Sequence, residues 1–160
     1  MGNFNPHEPA ESVIERYKDS VYRLAFSITG SRHDADDVFQ EVFLRYITKA
    51  PAFTDEAHRR AWLLKVTSNC SKKLLSSYWR RHTEPLSDHL IFEGAEQYDL
   101  YTELSHLEPI YREVVHLFYY EDMPTEAIAG LLSISDAAVR KRLSRAREKL
   151  RQFMKEEDYV

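Results

Sequence analysis

The chain has 160 residues, 43% of them hydrophobic, which suits one ordinary domain or two small ones and argues against general disorder. A single cysteine excludes an internal disulfide, no CxxC pair offers a zinc site, and only 4 Gly and 6 Pro interrupt the apolar periodicity, which favours helices over a many-stranded sheet. The formal net charge is -4, but seven Lys or Arg and no acid fall in 57–81, six acids and no Lys or Arg in 82–103, and seven Lys or Arg with two acids in 136–151. Local charge therefore decides what binds where.

The opening MGNFNPHEPAES is polar and reads as a flexible N-terminus over 1–10, without an apolar signal core. Nothing later approaches the roughly 20 apolar residues of a membrane span, so the expectation is a soluble, cytoplasmic protein without membrane insertion. Val13, Tyr17, Val21, Leu24, Ala25 and Ile28 recur at helical spacing and predict a helix over 11–28 that Thr29-Gly30 ends. Ser31 with Asp34 is a capping-box variant opening a second helix, whose apolar stripe is Val38, Phe39, Val42, Phe43 and Tyr46. Pro51 closes it. Thr54 is placed to start a long basic third helix over 55–80, with Trp62, Leu64, Val66, Cys70 and Leu74 among its apolar positions.

Residues 82–96 show no sustained period and contain Pro85 and Gly94, so they read as a flexible acidic linker, although Ile91 and Phe92 are odd for a free one. A short helix over 97–106 follows, then one over 109–120 with Pro109 in its first turn, and two more over 125–132 and 135–154. The fold class is all-α: two small helical domains, 11–81 and 97–160, on either side of the linker.

The last two helices carry the pattern of a helix-turn-helix. The small Ala129 sits where the second helix must cross the first, Ile128, Leu132 and Ile134 flank the turn, and Val139 points inward one turn on. Ser135 is a natural N-cap. Ser133 occupies a turn position that most often holds Gly, at modest cost. In such an element the second helix enters the major groove. Asp136, Ala137, Ala138, Arg140 and Lys141 would then face DNA, with Arg142 and Arg145 towards backbone or solvent. An arginine can grip guanine through two hydrogen bonds, and the alanine pair permits close approach. A basic helix alone is as well read as a solvated surface; the preceding pattern favours nucleic acid.

DADDVFQEVFLRYI (34–47) followed by AHRRAWLLKVTSNCSKKLLSSYWRR (57–81) resembles region 2 of bacterial RNA polymerase sigma factors. LEPIYREVVHLFYYEDMPTEAIAGLLSISDAAVRKRLSRAREKLR (107–151) resembles their region 4. The two in this order, with no domain between, are similar to the extracytoplasmic-function class, group 4 of the sigma-70 family. The resemblance implies that Asp37, Gln40 and Glu41 dock on the beta-prime subunit of core polymerase, through a carboxylate and amide face suited to a basic partner helix. It implies that the long basic helix meets the minus-ten element, with Arg59, Arg60, Lys65, Lys72, Lys73 and Arg80 on phosphate and Asn69 among the readers. The loop KAPAFTDE (49–56) corresponds to one that captures a flipped base. Phe53 fits either a wall of that pocket or a core plug, and Trp62 reads as core. Region 4 implies the minus-thirty-five element for Ser135, Asp136, Ala137, Ala138, Arg140, Lys141, Arg142 and Arg145. Core polymerase (beta-prime and beta subunits) and promoter DNA are the implied partners, and family habit alone adds an anti-sigma factor. The chain departs from the family pattern at Lys73, where Asp is usual, and at Pro124 and Ala127, where Ser and Glu are usual. These departures bear on specificity more than on class.

No Gly-rich phosphate loop, GxSxG elbow or HExxH pair is present, and the seven histidines are scattered, so no enzyme, cofactor, metal site or small-molecule substrate is expected. Two rivals stand beside the sigma factor: a stand-alone helix-turn-helix regulator, and a degenerate sigma homologue acting as an interaction protein.

Overall fold

The structure is a computed structural model that describes residues 4–81 and 104–158, with side chains described up to 77 in the first segment and 153 in the second. The expected acidic linker, 82–96, and all but the end of the expected helix over 97–106 lie outside these residues.

Three helices form the first unit: α1 Ala10–Thr29, α2 Arg32–Lys49 and α3 Glu56–Arg81. Gly30 ends α1 in the left-handed conformation (φ 71°) and donates its N–H to the Phe26 carbonyl at 2.8 Å, the role that frees glycine from the Cβ penalty. Ser31 then caps α2, its hydroxyl accepting from the Asp34 N–H at 3.3 Å. The α3 cap is Asp55 rather than Thr54: its carboxylate accepts the His58 N–H at 2.7 Å, and Glu56 is the first helical residue. A carboxylate complements the positive end of the helix dipole better than a hydroxyl does.

The second unit holds α4, Pro109–Val115, which widens into a π-helical turn over His116–Tyr120, then α5 Thr125–Leu132 and α6 Asp136–Asp158. The sequence predicts one plain helix over 109–120. The π turn is visible in the Glu121 N–H bonding the His116 carbonyl at 3.1 Å, five residues back. Among the described residues there is no strand.

Val13, Tyr17, Val21, Leu24 and Ile28 of α1 pack on Val38, Val42 and Phe43 of α2 and on Leu63 and Leu64 of α3. Each such side chain, fully buried, contributes roughly 1.5–3 kcal/mol. The amphipathic reading of α1 fails near its C-terminus, where every residue from Leu24 to Gly30 is buried, Ser27 and Thr29 included. The cause is the second unit. Helix α4 and its π turn pack on α1, and α5 packs on α3, so the end of α1 is enclosed on all sides. Apolar residues of both units belong to one connected cluster.

The N-terminal stretch expected to be flexible is pinned from residue 4 onward. The Phe4 ring lies under the Arg59 guanidinium, 4.7 Å from centroid to carbon, and the Asn5 carbonyl accepts from Arg59 at 2.8 Å.

Candidate functional site

Helix α2 turns its buried stripe (Ala35, Val38, Val42, Phe43) to the core. Asp37 and Gln40 lie on the opposite, exposed face, and Glu41 is half-exposed and holds Arg45 at 2.7 Å. Leu44 and Ile47 continue that outer stripe one and two turns on, and are 56% and 61% exposed. Sequence reading singled out neither. The available signal was two large apolar residues on the wrong side of an otherwise amphipathic helix. An acidic patch running into exposed apolar anchors is the composition of a protein-binding surface.

Helix α3 divides its predicted DNA residues into three groups. Lys65, Asn69 and Lys73 recur at four-residue spacing and are exposed, so they share one open face. Arg60 and Lys72 are engaged by the second unit, as described below. Arg59 is 1% exposed and not offered to phosphate: it pairs with Glu56 at 2.8 Å and Glu8 at 3.4 Å and stitches the N-terminal stretch to α3. Its position at the start of a basic run made it look like a surface cation; the acids that claim it are 51 residues upstream and one turn behind. Glu56 also accepts from the Tyr17 hydroxyl and from Arg16, which ties α1 to the same network. Burial and that carboxylate push the Tyr17 phenol up to about 12. Arg80 lies in the last turn of α3, and its side chain is outside the described set.

Phe53 takes the core side of its two readings. It is buried, stacks on Tyr46 with centroids 6.2 Å apart and meets Trp62 edge-on at 5.8 Å. A ring so enclosed contributes packing energy and shapes the loop before α3.

The helix-turn-helix forms as the residue pattern requires. Ile128, Ala129 and Val139 are buried at the crossing. Ser133 adopts the left-handed conformation (φ 57°, ψ 42°) that the turn needs, and the Ile134 N–H bonds the Ala129 carbonyl at 3.1 Å. The Ser135 hydroxyl caps α6 by accepting the Ala138 N–H at 3.0 Å. Ala137, Arg140, Lys141 and Arg145 are exposed along one side of α6, and Ala138 is half-buried beside them. Asp136 reaches forward one turn to Arg140 at 2.5 Å. Arg142 turns away from this face towards Glu113, 3.8 Å distant. On the same unit Tyr119 is half-exposed, and its hydroxyl accepts from Arg147 at 2.7 Å.

Beside its apolar packing, the seam between the units carries a mostly buried polar layer. Fully buried Glu113 of α4 accepts from Ser68 at 2.7 Å and Lys72 at 3.3 Å, both on α3. Glu121 takes Arg60 at 3.1 Å and the Ser20 hydroxyl at 3.3 Å, with His116 at 3.4 Å; Arg60 also donates to the Glu121 backbone carbonyl. Burial pushes the Glu121 carboxyl up, but the hydrogen bonds and charges of His116 and Arg60 outweigh it and hold it at about 2. Arg112, buried, donates to the Leu107 carbonyl at 2.8 Å and across the seam to the Ile28 carbonyl at 2.6 Å. Helix α1 has no basic residue in its last turn, so this guanidinium supplies the cation that the negative end of its dipole favours. Burial lowers Arg112 to about 10, which leaves it charged at neutral pH. Beside the seam, Ala61, Trp62, Lys65, Met123, Ala127 and Leu131 line a cleft of about 620 Å³ between α3 and α5.

Residues 13–81 match the family described as Sigma-70 region 2, and residues 97–150 match Sigma-70, region 4. The chain is 27% identical over 157 residues to the ECF RNA polymerase sigma factor SigE of Mycolicibacterium smegmatis, covering 90% of this chain and 61% of that protein. It is 28% identical over 155 residues to the ECF RNA polymerase sigma factor SigM of Bacillus subtilis, covering 88% of this chain and 92% of that one. Its fold is similar to that of the sigma factor RpoE in complex with the anti-sigma factor NepR from Bartonella quintana, with a TM-score of 0.75 at 18% identity, over 91% of this chain and 96% of that chain.

Proposed function

The chain belongs to the sigma-70 family of RNA polymerase sigma factors, in the extracytoplasmic-function class, and from that premise we propose how its surfaces divide the work. It directs core polymerase to promoters and performs no bond chemistry of its own. The α2 stripe of Asp37, Gln40, Glu41, Leu44 and Ile47 is the core-polymerase surface. The polar end supplies charge pairing and the apolar end supplies anchors that lose water on contact. The open face of α3, with Lys65, Asn69 and Lys73, is the minus-ten surface, which Arg60 and Lys72 extend. Arg59 has no part in it, and Phe53 shapes the loop from within. The exposed face of α6, led by Arg140 and Lys141, is the minus-thirty-five surface, with Arg145 gripping phosphate. Cytoplasmic action follows from the partners, core polymerase and promoter DNA. An anti-sigma factor is the third partner, in keeping with the complex in which the similar RpoE fold was solved.

The observation that carries this reading is the separation of the surfaces: an acidic-apolar stripe on α2 and two basic faces on α3 and α6, each exposed on its own helix. A stand-alone regulator needs only the last. The test is run-off transcription with purified core polymerase on a randomised promoter library, read by sequencing the transcripts. The sigma reading expects transcripts that share two short upstream elements, lost on joint Asp37→Ala and Gln40→Ala substitution and on joint Leu44→Ser and Ile47→Ser substitution. Duplex DNA binding without any transcripts would favour the regulator instead.

A further inference from the structure

Residues 4–8 form a built element ahead of α1. Pro6 sits at the second position of a turn in which the Glu8 N–H donates to the Asn5 carbonyl at 3.2 Å, and the Asn5 side chain accepts the His7 N–H at 2.9 Å. The turn brings three groups to one buried guanidinium, that of Arg59: the Asn5 carbonyl at 2.8 Å, the Glu8 carboxylate at 3.4 Å and the Phe4 ring at 4.7 Å. The same guanidinium lies 5.7 Å from the centroid of the Phe53 ring. Phe53 anchors the loop between α2 and α3. It is buried, whereas Pro51, Ala52, Thr54 and Asp55 around it are exposed. His58 meets the Phe53 ring edge-on at 5.2 Å and accepts the Thr54 N–H at 3.2 Å. Contacts therefore run without a break from the N-terminal turn through Arg59 to this loop, and the loop leads into α3.

We infer that the stretch from Phe4 to Glu8 is a positioning element for base discrimination at the minus-ten element: it clamps Arg59, Arg59 backs Phe53, and Phe53 holds the exposed loop residues at 51–55 where they meet the opened strand. This rests on the reading of α3 as the minus-ten surface. Phe4, Asn5 and Glu8 act through the loop rather than on DNA. A loop is a less precise platform than a helix, and a recognition site works only when its groups are held to within roughly 0.5 Å. The exposed residues of this loop have one buried anchor between them, so the groups that fix Phe53 also fix what the loop presents. The clamp combines a carboxylate, a carbonyl and a ring face, three different partners that a guanidinium satisfies at once.

The test uses three variants of the full chain. Phe4→Ala removes the ring from Arg59. Phe4→Trp replaces it with a stronger cation–π partner. Pro6→Gly loosens the turn at an exposed position and removes no group that touches Arg59. Hydrogen–deuterium exchange of the free chain reads the loop over 49–58, and run-off transcription from a randomised promoter library with core polymerase reads base preference. Phe4→Ala is expected to speed exchange in the loop several-fold and leave exchange in α6 unchanged. It should relax preference within the downstream element by about three- to tenfold, the span that one cation–π contact carries, with the upstream element unaltered. Pro6→Gly should move both readouts the same way by less, and Phe4→Trp should keep both at wild-type values. Unchanged loop exchange in Phe4→Ala and Pro6→Gly would overturn the inference. So would faster exchange with unaltered base preference, equal relaxation of both elements, or a Phe4→Trp variant that behaves like Phe4→Ala. A wild type that makes no transcripts would sink the sigma reading, and base discrimination with it, while the exchange still judges the clamp on the loop.

Discussion

Helices α3 and α6 carry the same formal asset, a run of Lys and Arg, and the fold treats them oppositely. On α6 the cations at 140, 141 and 145 are exposed, while Arg142 turns towards Glu113 and Lys149 is held by Glu108 at 3.0 Å. On α3 one arginine is built into the core, and Arg60 and Lys72 are claimed by the other unit, leaving Lys65 and Lys73 outside among the described side chains. The difference teaches that a basic run measures charge in the chain, not charge on offer. What decides is where the acids of other segments come to lie.

The largest effect that would break this contrast is on stability. Arg59→Ala strips the cation from between Glu8 and Glu56 and should cost about 2–3 kcal/mol in urea unfolding, below the roughly 3–5 kcal/mol of a fully buried pair because both acids left behind keep some water. Lys65→Ala, six residues along the same run, should change the unfolding midpoint by no more than about 0.5 kcal/mol. Equal costs for the two would remove the distinction. Next comes Arg140→Ala on α6, expected to weaken upstream-element binding in holoenzyme footprints by roughly 10- to 100-fold, the worth of one bidentate base contact. Its thermal midpoint should stay within about 1 °C of wild type.

A smaller effect is expected from acid. Glu121 is held at about 2 in the folded chain, below an ordinary carboxyl, so its contribution is full above about pH 4.5 and is lost as pH falls towards 2. Thermal unfolding followed from pH 6 to pH 3 should show wild type losing its advantage over Glu121→Gln across that window. Parallel curves would mean that Glu121 is not held by the seam. The smallest change is at the turn of region 4. Ser133 sits at φ 57°, where a side chain costs roughly 1 kcal/mol, and Ser133→Gly should stabilise by about 0.5 kcal/mol after the added freedom of the unfolded glycine is subtracted. A destabilised Ser133→Gly variant would show that the hydroxyl has a role the turn geometry does not require.

Local signals made much of the fold legible. Gly30 and Ser31 bracket the first turn as their chemistry dictates, and Ala129, Val139 and Ser135 place the helix-turn-helix without help from any distant residue. The misjudged residues are those whose fate is settled by contacts far along the chain. Arg59 is claimed by Glu8, and Ser27 and Thr29 are buried because α4, some 80 residues later, covers the end of α1. Periodicity reports one face of a helix and cannot report a second partner on the other. Leu44 and Ile47 were missed for the converse reason: they fit no internal core, and their exposure on the face of Asp37 and Gln40 became informative only once α2 had a buried side. The π turn at His116–Tyr120 carries no breaker signal, since HLFYY holds neither Gly nor Pro.

The division of labour between α3 and α6 is tested most directly by mapping promoters with three holoenzymes. Wild type, Asn69→Ala and Arg140→Ala would each be given the same randomised promoter library and their transcripts sequenced. The account predicts that Asn69→Ala relaxes only the downstream element and Arg140→Ala only the upstream one, with the spacing between them unchanged. If both variants altered the same element, or if neither altered any, the assignment of the two basic helices to separate promoter elements would be contradicted.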